Sequence, residues 1–352
     1  MLLELKMLKY QKLVNRELKR LIERYLSNYV SEWDKKFQGE MENFILEGGK
    51  RLRPILATII YEGTGGKDIE SFVKLSLSAE ILHNSTLIHD DIIDESDIRR
   101  GKNSFHKEFE EWFTKRGVKN PEKESEGMAI LAGDYLNFLA LQSVLDSNFP
   151  DAKKLYTITA IREAAETVIK GQILDSELVS MNAKESDYIK LIEMKTASVF
   201  EFATKVATIL SDAKPNISRA LSQYAKNIGC AFQIQDDILG IFGKQIEIGK
   251  PLTTDLADSK KTILIIKAYE NGNESQRKIL DEVLGKTNIT SGDVENIKKV
   301  LRETQSLEYA KELANKYANE ARKLLDKIEG KISKDMYQIL CKLSKFIINR
   351  NY

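Results

Sequence analysis

LHNSTLIHDDIIDESDIRRG, residues 82–101, is the stretch from which the rest of the chain can be read. On a helix, Asp90 and Asp94 are one turn apart and Asp91 lies three residues before Asp94. Three negative charges this close repel unless a cation compensates. Hard carboxylate oxygens suit magnesium, which keeps several waters and commonly bridges one or two carboxylates to a substrate phosphate. A solvated acidic helix end is the competing reading of the same letters. His83 sits two helical turns before Asp90, on roughly the same face; taken alone it reads more often as a structural histidine, the reading given to His89 and His106. Arg99 and Arg100 follow closely and offer forked donors to phosphate oxygens.

A second acidic segment, GCAFQIQDDILGIFG, lies far downstream. It places Gln233, Asp236 and Asp237 at i, i+3 and i+4, among Phe232, Ile234, Ile238 and Leu239. Polar groups in such a run need partners, because burying them unpaired costs several kcal/mol. Upstream, GGKRLRP (48–54) sets three cations after two glycines, either as a basic surface turn or as an anion grip, with Lys50 and Arg53 on adjacent turns of the helix that follows. It is not a Walker loop: the spacing differs and no Ser or Thr follows the lysine. Gly171-Gln172-x-x-Asp175 and Lys195-Thr196 extend the polar theme on two further helices, and Lys250 and Lys260 follow the second acidic segment.

The 352 residues carry 54 basic and 53 acidic side chains, a net charge of +1 that argues against nucleic acid or an acidic membrane as the main partner. With 42% hydrophobic residues the chain can bury a substantial core. Apolar residues recur with a period near 3.6, as in Leu155, Ile158, Ile161, Ala165, Val168 and Ile169, and again from Ala310 to Leu324. Alternating strand patterns are lacking, so the fold class is all-α, in one domain spanning 1–352, with N-terminal helices over 1–43. Two polar stretches interrupt the helices. Residues 110–127 read as a surface insertion, and 243–261 as a lid loop beside the site. Cys230 and Cys341 read as buried free thiols, without zinc-ligand spacing. The N-terminus lacks a signal peptide's apolar core, and nothing later approaches the ~20 apolar residues of a membrane span, so a cytoplasmic setting without stable membrane insertion is expected.

From about residue 44 to the C-terminus, the chain resembles the trans-isoprenyl diphosphate synthases, of the geranylgeranyl diphosphate synthase type known from archaea. The resemblance rests, in order, on GGKRLRP, HNSTLIHDDIID, RRG, AILAGDYL, GQILD, KTAS, FQIQDD and GKPLTTDLADSKKT. It implies an isoprenoid synthase-type helical bundle around a deep central cavity, usually a homodimer. It also implies head-to-tail condensation of isopentenyl diphosphate with an allylic diphosphate. Three Mg2+ ions are implied, two shared by Asp90 and Asp94 and one on Asp236, with Asp91 and Asp237 supporting. By the same matching, Lys50, Arg53, His83 and Arg100 grip isopentenyl diphosphate, while Arg99, Lys195, Lys250 and Lys260 contact the allylic diphosphate. On the same resemblance, Thr196 and Gln233 help stabilise the departing group and the allylic carbocation left when pyrophosphate departs. The resemblance also implies that pyrophosphate takes the final proton, so no protein general base is expected.

Three positions depart from the family pattern. Gly240 stands where many relatives carry a third aspartate, Lys244 replaces an acidic residue, and Ser259 replaces a usual glycine beside Lys260. Product length in this family is set along the helix below the first aspartates. The position five before Asp90 lies roughly 7–8 Å down the helix axis. It is Ser85, with Thr86 beside it and Leu82 a turn deeper, so no aromatic floor exists there. The expected product is geranylgeranyl diphosphate (C20), with C25 or longer as the rival and the stop at Leu82, Ser78 or the 130–141 segment. Two other classes compete. Head-to-head or cyclising terpene synthases have no reason to keep GGKRLRP, and an inactive regulatory subunit would lose aspartates or arginines that this chain retains.

Overall fold

The helical period is realised from the first residues. In the computed structural model, which describes residues 2–47, 49–243 and 254–348, α1 (Leu2–Tyr25) buries Leu3, Tyr10, Val14, Leu18, Leu21 and Ile22 and turns most of its charged residues outward, with buried Glu17 paired to Arg16 and Arg20. Local signals set where the next helices begin. Ser31 caps α2 (Glu32–Leu46) by accepting from the Asp34 amide, and Asp68 caps α4 (Ile69–Ile93) by accepting from the Ser71 amide. Between them runs α3 (Leu52–Gly63).

Helix α4 is apolar on nearly every side, and its buried residues include Phe72, Leu75, Leu77, Ile81, Leu82 and Ile88. A helix of this kind is a core helix. It packs against α1, α3 and α6 (Pro121–Leu145), and α6 also packs against α5 (Phe105–Thr114). Two short antiparallel strands, β1 (Ile98–Arg99) and β2 (Lys102–Asn103), are the only strands among the described residues.

The chain continues through α7 (Asp151–Val179), α8 (Glu185–Ile192), a π-helical turn (Glu193–Ala197), α9 (Ser198–Leu210) and α10 (Pro215–Phe242), then helices at Thr254–Ala257, Ile263–Asn271, Glu274–Val283, Ser291–Glu303, Ser306–Asp326 and Lys334–Ile348. It forms two compact units, each assembled from three stretches. The first comprises 1–165, 202–222 and 328–339, and the second 166–201, 223–327 and 340–352. The second has its own core, in which Tyr188, Ile192, Ile234 and Ile238 meet Leu264, Ile297, Leu301 and Leu313.

Several sequence expectations are corrected. Residues 110–127, expected as a surface insertion that interrupts the helices, lie mostly at the surface but are largely helical: α5 runs to Thr114 and α6 starts at Pro121, which suits a first helical position. Phe105, Phe109 and Phe113 are buried at helical spacing, and Trp33 packs on Phe113, so the acidic residues that suggested a loop belong to the helices' outer faces, while Lys115, Arg116 and Lys119 lie in the short connection between α5 and α6. Helix α6 is long and apolar enough to span a membrane by length and composition, contrary to the expectation that nothing approaches a span. It also buries Ala129, Ala132, Gly133, Leu136, Leu139, Ala140 and Val144, as core helices do. Cys230 is buried as expected, but Cys341 is only half-buried. Lys50 precedes α3 rather than sharing its turns with Arg53.

Candidate active site

The first unit carries the first acidic segment at the end of α4. The helix stops at Ile93, and Asp94 caps it, its amide donating to the Asp90 carbonyl at 2.8 Å. Asp90 and Asp94 are half-buried, whereas Asp91 is fully buried. Arg99 explains that difference. Its Nε donates to both Asp91 oxygens, at 2.8 and 3.1 Å, and its Nη2 closes on Oδ1. Burial opposes the Arg99 charge, but Asp91, Asp90 and Asp94 together hold its guanidinium above the ordinary value. The β1–β2 turn aims Arg99: Arg100 (φ 54°) and Gly101 (φ 78°) take the left-handed conformations that a two-residue hairpin requires.

Arg100 reaches back to α2. Its Nη1 donates to the carbonyls of Phe44 (3.1 Å) and Glu47 (2.8 Å), and its Nη2 to Asn84 Oδ1 (3.2 Å). Lys50 is exposed just before α3, and Arg53 is half-buried in the first turn of that helix. Burial, then the positive charges of Arg53, Arg100, Arg99 and Arg51, hold His83 well below the usual histidine value, so its imidazole is neutral at physiological pH. His106 has its Nδ1 3.2 Å from Ser104 Oγ, in a structural setting. His89 lies 3.2 Å from the Ile130 carbonyl, over Gly133, where any added Cβ would overlap its ring.

The product-length positions also lie on α4. Leu82 and Ser78 are buried, Thr86 Oγ1 donates to the His83 carbonyl (2.8 Å), and buried Ser85 donates to Asn137 Oδ1 on α6 (2.9 Å). The Asn137 partner falls within the 130–141 segment anticipated as a neighbour of the product.

The second unit gathers the remaining residues around the π turn, a feature frequent at functional sites. Lys195 Nζ lies 2.6 Å from Asp175 Oδ2, and Lys260 Nζ lies 3.8 Å from the same oxygen. Thr196 Oγ1 donates to Gln233 Oε1 (2.7 Å), and Gln233 Nε2 donates to Asp237 Oδ1 (2.8 Å). Tyr188 Oη completes the chain by donating to Asp237 Oδ2 (2.6 Å). Burial pushes the Asp237 carboxyl up to about 8, with Asp255 and Asp236 adding to the rise while the hydrogen bonds from Tyr188 and Gln233 oppose it. Asp236, next along α10, is exposed. Two glycines make room for the π turn: an added Cβ would lie 2.8 Å from the Lys195 amide at Gly171 and 2.6 Å from Ala197 Cα at Gly229.

Two departures from the family pattern gain physical accounts. A Cβ at Gly240 would stand 2.8 Å from Asp255 Oδ2, so a carboxylate from another helix occupies the space beside that position. Ser259 has φ 52°, the left-handed region in which glycine is unstrained. Lys244 and Lys250, with most of the expected lid (244–253), lie outside the described residues.

Among the described residues, no three His, Cys, Asp or Glu side chains form a ready-made metal cage. The donors within each unit still suit magnesium, which takes few protein ligands beside phosphate and water: in the first unit Asp90 and Asp94 offer half-buried carboxylates one turn apart, and in the second Asp236 offers an exposed one. Sequence reading missed Asn84, although it lies inside HNSTLIHDDIID, and Asn137 and Tyr188, which belong to none of the quoted motifs. It also left Arg51 and Glu80 unassigned, although Arg51 sits inside GGKRLRP.

Comparison with known proteins gives the family. The family model described as Polyprenyl synthetase matches residues 34–303. A geranylgeranyl diphosphate synthase of Saccharolobus solfataricus is 35% identical over 333 residues, covering 92% of this chain and 93% of that protein. A short chain isoprenyl diphosphate synthase of Methanocaldococcus jannaschii is 34% identical over 300 residues, covering 85% of each. Among solved structures, a Corynebacterium glutamicum geranylgeranyl pyrophosphate synthase complexed with isoprenyl diphosphate and magnesium superposes with a TM-score of 0.91, at 26% identity over 97% of this chain and 99% of that one. The chain belongs to the polyprenyl synthetase family.

Proposed function

We propose that this chain is a prenyltransferase that joins isopentenyl diphosphate head-to-tail to allylic diphosphates, giving mainly geranylgeranyl diphosphate. The observation that carries the reading is the polar cluster on the π turn: Lys195 and Lys260 beside Asp175, and Thr196 hydrogen-bonded to Gln233. Lysines there hold the allylic diphosphate as negative charge builds on it, and the oxygens of Thr196 and Gln233 offer negative dipole to the carbocation. Magnesium, held by Asp90, Asp94 and Asp236, would supply charge that favours departure of pyrophosphate. Arg99, clamped to Asp91, keeps a fixed positive charge next to Asp90 and Asp94. Lys50, Arg53, neutral His83 and Arg100 take isopentenyl diphosphate.

The C20 product is supported by the relatives' length class together with small, buried Ser85 in the place of a floor. The same Ser85 favours a C25 or longer product as the second reading. The enzyme works as a cytoplasmic homodimer in this proposal, with exposed Leu131, Phe138 and Leu145, seven residues apart along α6, as the contact stripe. Incubation with farnesyl diphosphate, with and without isopentenyl diphosphate, tests the reaction class. Consumption only when both are present supports the reading, and hydrocarbon formed from farnesyl diphosphate alone rules it out.

A further inference from the structure

The C-terminus of α2 is closed by two arginines from elsewhere in the chain. The last carbonyls of a helix have no partners within it. Here four successive carbonyls are divided between the two side chains. Arg51 Nη2 takes Ile45 O (2.6 Å) and Leu46 O (3.0 Å), and Arg100 Nη1 takes Phe44 O and Glu47 O. Both arginines then reach α4 at residues one turn apart: Arg51 Nη1 to Glu80 Oε1 (2.8 Å), and Arg100 Nη2 to Asn84 Oδ1. Asn84 Nδ2 donates to the Glu80 carbonyl (2.7 Å), which links the two attachment points. Arg51 Nε adds a bond to Asn15 Oδ1 on α1 (3.1 Å).

Arg51 is 2% exposed, so a full positive charge is buried with one carboxylate partner, Glu80, and carbonyls on its remaining donors. Its backbone has φ 54°, an uncommon conformation for a residue with a side chain. Gly49 is fitted to it: a Cβ there would overlap Arg51 Nη1 and stand 3.1 Å from Glu80 Oε1. A left-handed backbone, a guanidinium bonded through all three of its nitrogens and a glycine beneath it fix one residue in the middle of the basic segment. Lys50, immediately before it, is exposed, and Arg53 begins the next helix. The bonds of Arg51 run to oxygens of the chain itself, which suits a residue that holds protein rather than substrate.

We infer that Arg51, locked by Glu80, the α2 carbonyls and Asn15, is the positioning residue that sets Lys50 and Arg53 for a diphosphate. This rests on the proposed role of those two residues at isopentenyl diphosphate. Glu80→Gln removes the charge partner, Gly49→Ala pushes on the guanidinium, and Asn15→Ala deletes the exposed partner with least risk to folding. Each is expected to raise KM for isopentenyl diphosphate, about tenfold in the first two and two- to threefold in the third. KM for the allylic substrate should stay within twofold and kcat within threefold. Calorimetric titration of isopentenyl diphosphate alone should show the same weakening without turnover. Equal rises in both KM values, or unchanged isopentenyl diphosphate binding in folded Glu80→Gln and Asn15→Ala proteins, would overturn the inference. Wild-type protein that binds isopentenyl diphosphate but does not condense it would sink the proposed function and leave the binding test of Arg51 intact. Wild-type protein that does neither overturns both.

Discussion

Thr196 donates its hydroxyl proton to Gln233 at 2.7 Å, and this direction is set from behind, because Gln233 must spend its N–H on Asp237, which Tyr188 also holds. The order Thr196 to Gln233 to Asp237, with Tyr188 arriving from the other side, fixes the Gln233 amide orientation and leaves the Thr196 oxygen lone pairs outside the chain. Thr196→Val is therefore expected to lower kcat about tenfold, equivalent to ~1.4 kcal/mol of barrier. Tyr188→Phe, which acts through Asp237, should lower it by a smaller factor with little change in either KM. Steady-state kinetics of both variants check this, and a Tyr188→Phe protein with wild-type kcat would remove Tyr188 from the account.

The π turn is expected to be intolerant of a single methyl group. Gly229→Ala places a Cβ against Ala197 Cα, and overpacking of this kind costs about 1–3 kcal/mol. Because the turn carries Lys195 and Thr196, kcat should fall along with thermal stability. A Gly229→Ala protein that keeps full activity would show that the turn's geometry is not needed.

Product length should respond at Ser85. Its hydroxyl is buried and bonded to Asn137, so an aromatic ring there must project into the α4–α6 contact or toward the growing chain. Ser85→Phe is expected to shorten the main product toward C15, read by chromatography of the dephosphorylated prenols. An unchanged product would locate the floor elsewhere.

The Asp237 carboxyl gives a pH signature in magnesium-free protein. Its folded value, about 8, lies above the ordinary carboxylate range, so between about pH 4 and pH 8 the native state holds a proton that the unfolded state has released. Its contribution is thus fully present below about pH 4 and is lost as pH rises through 8. In EDTA, melting temperature should fall from pH 5 to pH 8 by more in wild type than in Asp237→Asn. Identical pH slopes would exclude Asp237 as the source.

Part of the polar clustering was legible because helical spacing groups Asp90 with Asp94 and Gln233 with Asp236 and Asp237, while Lys195 and Thr196 are neighbours in the chain. The all-α class followed from the same period. What spacing does not carry is the identity of partners distant in sequence. Arg51 meets Glu80, Ser85 meets Asn137 and Tyr188 meets Asp237, each across 29 or more residues. The 110–127 stretch misled because charge on an outer helix face looks the same in sequence as charge in a loop. Phe109 and Phe113, four residues apart, held the contrary signal.

The central claim is a magnesium-dependent head-to-tail condensation, and the most direct measurement is a product assay. Purified protein is incubated with radiolabelled isopentenyl diphosphate and each allylic primer in turn, with Mg2+ or with EDTA. The account predicts label in geranylgeranyl diphosphate as the main product, only with Mg2+, and its loss in Asp90→Asn and Asp94→Asn. Absence of label in any prenyl diphosphate, or undiminished condensation in EDTA, would contradict it.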